Sequence, residues 1–313
     1  MERIDDRGEM PEGLRGAILA LGNFDGFHEG HQAVVGRAVE WARAEGRPAI
    51  VATFDPHPIR LFKPDAPAFQ LTTLDQRQRL FEAAGADAML LFLFTRELAQ
   101  CSAEQFIERL VGKLGAAGVV TGEDFTFGKD RSGNIARLHE MGNAAGLRSE
   151  AVAPVFDAAG GVISSSRIRE ALKAGDCESA TRLLTRPFAI EGVVQHGDKI
   201  GRTIDFPTAN LDLRDYVRPA YGIYAVRGRL ADGRIVDGCA NLGIRPTFDP
   251  PKELLEPYFF DFSGDLYGQA IEVQLIEYIR PEAKFDSMEA LTAQIGRDCD
   301  VARAILADTP RVA

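Results

Sequence analysis

Short apolar runs alternate with amphipathic stretches through the first half of the chain, and that alternation leaves few folds open. Residues 17–21, 49–54, 88–94, 118–121 and 150–154 read as strands. Residues 32–44, 74–84, 103–114 and 135–145 read as helices, with Gly46, Gly85, Gly115 and Gly146 close behind as stop signals. Strand and helix in turn predict an α/β domain of Rossmann-like, doubly wound type: a parallel sheet with helices on both faces. Two short helical patterns follow at 166–174 and 178–184, and at Arg186-Pro187 the texture changes. From there, strand-like runs at 188–195, 222–229, 234–240, 256–262 and 270–278 are separated by Gly, Pro and Asp turns. They predict a small antiparallel β-barrel, with a C-terminal helix over 287–307. Two domains are therefore expected, 1–184 and 185–313.

Composition narrows the function. With 45% hydrophobic and 26% charged residues the chain can bury a real core. Its formal net charge of −10 argues against a nucleic-acid partner, since wide contact with a phosphate backbone needs many Lys and Arg. One small phosphorylated ligand in a local pocket stays open. The N-terminal segment is acidic without an apolar run, and no later stretch of about 18 apolar residues exists to span a bilayer. No membrane partner is expected, and a cytoplasmic location is. Cys101, Cys177, Cys239 and Cys299 are far apart with no C-x-x-C pair, so they read as reduced structural thiols.

The first constellation is GNFDGFHEGH, residues 22–31. It follows the first predicted strand and opens a helix at the second His. In an open α/β sheet, ligands sit beyond the carboxyl ends of the strands, where a helix N-terminus offers backbone N–H groups to an anion. Gly26 and Gly30 let backbone approach a phosphate, and Gly22 belongs to the same turn. His28 and His31 can donate to charge that builds at phosphorus, and Asn23 adds an uncharged donor. An isolated His at a helix start merely caps or solvates it; two around a Gly directly after a strand point to phosphate. A zinc site is rejected, because H-E-x-x-H places its histidines four apart and these are three apart with no third ligand nearby. Neither G-x-x-x-x-G-K-[ST] nor G-x-G-x-x-G occurs. A second anion motif, ISSSRIR at 163–169, leads into a helix and presents Ser165, Ser166 and Arg169. Alone it would be an ordinary helix cap with a surface Arg.

The second half carries HGDKIGRT at 196–203, glycine-spaced at Gly197 and Gly201, then FPTAN at 206–210. Backbone of that spacing can cover a phosphate chain, and Thr208 and Asn210 offer oxygen ligands suited to Mg2+. Taken by itself, P-T-A-N is as well explained by a turn between strands. Glu256 alone would be an ordinary strand residue. Pro257 after it lacks a ladder donor, so that strand is expected at an edge or with the position unpaired.

Together with FDPHP (54–58) and TGEDFTFGKDRSGN (121–134), the first-half motifs resemble the adenylyltransferase half of bacterial bifunctional riboflavin kinase/FMN adenylyltransferases. GRT-x-x-FPTANL, ANLGIRPTF (240–248), LLEPYFFDFSGDLYG (254–268) and IRPEAKFDSMEALTAQIGRD (279–298) resemble their kinase module over its full length. The resemblance implies that Asn23, His28 and His31 meet the phosphates of ATP and that Ser165, Ser166 and Arg169 close over them. It implies that Asp124, Phe125, Phe127 and Gly128 shape the nucleotide and flavin pocket. In the kinase half it gives Thr208 to Mg2+, Asn210 to metal and phosphates, and Glu256 the role of base toward the ribityl hydroxyl. Asp205 departs from the Gly common at that place in the family. Riboflavin, FMN and ATP are the implied ligands, in a monomer or weak homo-oligomer. Two rivals remain: a nucleotidyltransferase for another phosphorylated substrate, which leaves PTAN and Glu256 unexplained, and a flavin-binding regulator without turnover, against which two intact phosphate motifs argue.

Overall fold

The computed structural model describes residues 1–196, 206–245 and 252–311. The chain forms two compact units, one of Met1–Pro67 with Thr73–Ser164, the other of Ala68–Thr72 with Ser165 onward.

The first unit runs β1 (Glu2–Asp5), β2 (Ile18–Leu21), α1 (Glu29–Glu45), β3 (Ala49–Asp55), α2 (Pro58–Phe62), α3 (Leu74–Ala83), β4 (Ala88–Leu93), α4 (Arg96–Gln100), α5 (Ala103–Glu108), β5 (Gly118–Gly122), α6 (Ile135–Ala144) and β6 (Arg148–Val152). The sheet order is β1-β4-β3-β2-β5-β6 and every pairing is parallel. Alternate residues of the central strands enter opposite cores. Leu19, Leu21, Ile50 and Ala52 pack with Phe106, Ile107 and Leu110 below α5, and Ile18, Ala20, Ala49 and Val51 pack with Val35, Val39 and Trp41 of α1. Strands buried on both faces must be continuously apolar, which is why the sequence shows them as unbroken runs. Each buried Leu, Ile, Val or Phe among them contributes about 1.5–3 kcal/mol. This is the doubly wound layout expected from the alternation. Strand order reverses between β2 and β5, so the crevice where ligands bind in such sheets opens beyond their carboxyl ends.

The second unit runs α7 (Ser165–Lys173), α8 (Cys177–Leu184), β7 (Phe188–Val193), β8 (Leu211–Asp212), β9 (Gly222–Arg229), β10 (Ile235–Arg245), β11 (Lys252–Phe259), β12 (Ala270–Arg280) and α9 (Met288–Asp308). Its antiparallel order is β7-β12-β9-β10-β11-β8. Among the described residues a bridge, Gln195 N–H to the Asn210 carbonyl at 2.9 Å, joins the two outer strands, so that the sheet curls into a near-barrel as expected. β11 lies at 252–259, not 256–262, and stops where Asp261 takes a positive φ of 53°. Pro257 does not mark an edge strand. Its carbonyl accepts from Ala209 N–H at 2.9 Å, so its nitrogen faces the short β8 side and the ladder to β10 loses no donor.

α9 lies on the outer face of the barrel, where Cys299, Ala302 and Leu306 pack on Ala225 and Cys239. The four cysteines are free thiols, and burial pushes the Cys177 thiol up to about 12. One buried carboxylate, Asp298 at 4% exposure, ties α9 to β12 by accepting from Arg280 Nε at 2.8 Å and Nη2 at 2.6 Å. Asp298→Ala should strand the guanidinium and cost about 3 kcal/mol. Urea unfolding followed by far-UV circular dichroism measures it, and a loss below about 1 kcal/mol would place the pair among surface bridges.

Candidate active sites

At the switch point, β2 runs into Gly22 and β5 into Gly122. Phe24 and Phe27 take positive φ, 49° and 44°, a conformation that costs about 1–2 kcal/mol for a side chain with a Cβ. Burial of their rings offsets the cost: both are nearly fully buried and stand edge-on to Phe81, at 5.9 and 5.1 Å. α1 begins at Glu29, two residues before the second His. His28 is its N-cap, accepting from His31 N–H through Nδ1 at 3.3 Å. That bond places the proton of a neutral His28 on Nε2. The two imidazoles stack with centroids 3.6 Å apart, and His31 stands edge-on to Phe24. Gly30 is bare because a Cβ there would press on the His28 ring at 3.2 Å and stand 3.6 Å from the Ile163 carbonyl. Paired imidazoles beside a helix N-terminus can offer hydrogen-bond donors to an anion.

Asn23 is held from below. Its carbonyl accepts from Thr53 Oγ1 at 2.8 Å and from Arg77 Nη1 at 3.2 Å. Sequence reading missed both. A signal existed: Arg77 lies four residues before the fully buried Phe81 on α3, which puts a cation on the core face.

Beyond β5, Asp124 is exposed and Phe125 half-buried. Phe127 is buried in the core at 6% exposure, packed on Phe106 and so close over Gly133 that a Cβ there would collide with its ring. It supports the turn from inside, and Phe125, stacked on it at 5.8 Å, is the more accessible ring. A second aromatic group, also missed, lies at the ends of β3 and β4. Phe54 and Phe62 stand against Phe94 at 5.7 and 5.9 Å, and Phe62 is 66% exposed. Ser165 and Ser166 open α7 in the second unit, where Arg169 Nε donates to the Phe69 carbonyl at 2.7 Å.

In the barrel, Leu211 pairs with Leu255 and Asp212 with Leu254, while Ala209 bonds Pro257. This register sets Asn210, 7% exposed, opposite Glu256. Thr208 lies two residues earlier, the spacing that returns a side chain to the same side of an extended segment. On the other flank Asn241 pairs directly with Glu256 and donates from Nδ2 to its carboxylate at 3.5 Å and to Glu282 at 3.3 Å. Arg245 forms an ion pair with Glu256. Burial lowers the pKa of Arg245, and the Glu282 charge works the other way. Gly243 between them is bare because a Cβ would fall on the Glu282 carboxylate. Gly197, Gly201 and Asp205 lie outside the described residues; His196 just before them lies tilted against Tyr267, ring centroids 3.9 Å apart. Among the described residues no group of three His, Cys, Asp or Glu could hold a metal. Thr208 and Asn210 do fit Mg2+, a hard cation that keeps few protein ligands and takes the rest from phosphates and water.

Two family models match the chain: FAD synthetase over residues 10–167 and riboflavin kinase over 184–306. The bifunctional riboflavin kinase/FMN adenylyltransferase of Haemophilus influenzae is 41% identical over 93% of this chain and 94% of its own length. That of Escherichia coli K12 is 40% identical over 90% of each chain, and that of Bacillus subtilis 38% over 90% of each. Among solved structures, one described as a macrolide-efflux protein from Streptococcus pneumoniae superposes with a TM-score of 0.86 at 31% identity, over 97% of this chain and 99% of its own. Among the described residues of this chain no helix is long and apolar enough to cross a membrane. Both halves match in order and nearly end to end, so this chain belongs to the family of bifunctional riboflavin kinase/FMN adenylyltransferases.

Proposed function

We propose that this chain phosphorylates riboflavin to FMN with one ATP and adenylylates FMN to FAD with another, the kinase residing in 185–313 and the adenylyltransferase in 1–184. The observation that supports this reading is that two separate sets of candidate residues come together: stacked imidazoles at a sheet switch point, and Asn210 opposite Glu256 on the barrel. In the kinase step Glu256 takes the proton of the ribityl hydroxyl as that oxygen attacks the γ-phosphorus and ADP leaves; Thr208 and Asn210 would hold Mg2+ and the phosphates. Bound there, Mg2+ would supply positive charge to offset that of the phosphates. In the second step the FMN phosphate attacks the α-phosphorus of ATP in line and pyrophosphate leaves. Asn23, His28 and His31 orient the phosphates and stabilise the charge, with no covalent intermediate. Ser165, Ser166 and Arg169 are assigned as further phosphate donors, and Gly22, Gly30, Gly197 and Gly201 as places where backbone approaches phosphate. Phe125, Asp124 and the exposed Phe62 are assigned to the flavin. We place the enzyme in the cytoplasm as a monomer or weak homo-oligomer.

The test is incubation with riboflavin and Mg-ATP, with the flavins separated over time. FMN should rise first and FAD follow. Chelating Mg2+ with excess EDTA should stop both steps. Nicotinamide mononucleotide or phosphopantetheine offered in place of FMN should give no adenylylated product; turnover of either, with FMN inert, would replace this reading by a different nucleotidyltransferase.

A further inference from the structure

Arg77 is among the most buried charged groups of the first unit, at 3% exposure, and no motif includes it. Burying a guanidinium is costly unless it is hydrogen-bonded and balanced. Its contacts are unusual for a buried Arg. Nη1 donates to the Asn23 carbonyl at 3.2 Å and the Thr53 hydroxyl oxygen at 3.3 Å, while Nε is buried without a partner among the described residues. Burial lowers its pKa, and the charges of Asp25 and Asp55 oppose that shift.

What the arrangement achieves follows from peptide geometry. The Asn23 carbonyl has two lone pairs, and Thr53 and Arg77 occupy both. A planar trans peptide points its C=O and N–H in opposite directions. With the carbonyl drawn toward β3 and α3, the N–H of Phe24 is turned away from them, within the turn that leads to His28 and His31. Among the described residues nothing accepts from that N–H. The positive φ of Phe24 shows that the backbone does not adopt this orientation by preference.

We propose that Arg77, with Thr53, is a positioning residue of the adenylyltransferase site: it locks the Asn23–Phe24 peptide so that its N–H is presented to a phosphate of ATP. The proposal rests on the reading of the Gly22–His31 turn as the ATP site. Arg77 touches neither substrate, and its effect passes through one peptide plane. Arg77→Lys keeps a cation and hydrogen-bond donors, Arg77→Met keeps only bulk, and Thr53→Val is nearly isosteric and removes the other donor.

The full-length chain provides its own control, since FMN formation is read on the same molecules. For Arg77→Met, kcat/KM for ATP in FAD formation should fall about tenfold to a hundredfold, somewhat less than loss of a whole oxyanion donor. Thr53→Val should lose about threefold to tenfold, the worth of one hydrogen bond. The double variant should be no worse than Arg77→Met by more than about twofold, because both act on one carbonyl. Arg77→Lys should recover most of the loss, and KM for FMN should stay near wild type throughout. Thr53→Val keeps the test alive where Arg77→Met folds poorly. If neither single variant changes kcat/KM for ATP by more than about twofold, or if the loss falls equally on FMN and tracks a lowered unfolding midpoint, the proposal is overturned. A His31→Ala control separates the premises: if it too is harmless, the turn is not the ATP site; if it is inactive while the Arg77 and Thr53 variants are normal, only the positioning role fails.

Discussion

Glutamine in place of Glu256 is expected to slow FMN formation about a hundredfold to ten-thousandfold, the usual contribution of a positioned general base. The conversion of added FMN to FAD should continue at the wild-type rate. The substitution is chosen because its surroundings tolerate it. Glutamine keeps the size of the side chain and an oxygen for the Asn241 amide, and Arg245 retains the Glu282 carboxylate nearby as a counter-charge. Glu256 lies in the middle of β11, paired to β10 on one side and beside the β8 segment on the other, so the ladder does not depend on its charge. What is lost is the ability to take a proton. Riboflavin and FMN should be supplied separately, with the products resolved by chromatography. KM for riboflavin should remain close to wild type, since the carboxylate is asked to act on the reacting hydroxyl and not to hold the ring. Unimpaired phosphorylation by Glu256→Gln would remove Glu256 from the chemistry and return it to the role of a strand residue paired with Arg245.

How much of this is legible in the sequence depends on whether local pattern or distant pairing decides it. β2 and β3 are buried on both faces, and Ile18–Leu21 and Ala49–Asp55 announce themselves as apolar runs. β1 does not, because Glu2–Asp5 is an edge strand made by backbone pairing to β4, with mostly exposed side chains and no burial pattern to read. The pattern places β11 four residues late: Leu254 and Leu255 are adjacent and both buried, which breaks the alternation, and the pairing of Gly238 with Phe259 sets the register instead. The sites divide in the same way. His28, Gly30 and His31 are neighbours in sequence, so their spacing can speak. Asn241, Arg245 and Glu282 reach Glu256 or its neighbour only through strand register, and Arg77 reaches Asn23 across 54 positions. Phe127 sits inside a motif and yet lies in the core, since spacing cannot tell which of two nearby rings faces inward.

Alanine at position 31 is expected to cut FAD formation about a hundredfold to a thousandfold, the cost of removing one preorganised donor to developing charge. Riboflavin phosphorylation should be untouched. The fold has little reason to change. His28 caps α1 by accepting from the backbone N–H of residue 31, which alanine retains, and alanine favours the helix. The ring that disappears is stacked on His28 and edge-on to Phe24, so the loss falls on the imidazole pair. The larger effect should appear in kcat, because the additional negative charge on the departing pyrophosphate builds only as its bond to the α-phosphorus breaks. The sharpest version mixes two inactive proteins. His31→Ala supplied with riboflavin should accumulate FMN and stop, and Glu256→Gln should leave riboflavin unconverted. Combined in one tube, they should restore FAD, because FMN released by the first is substrate for the second. FAD formation by His31→Ala alone would show that the imidazole is dispensable. Failure of the mixture, with Glu256→Gln still converting added FMN, would mean that His31→Ala does not release the FMN it makes.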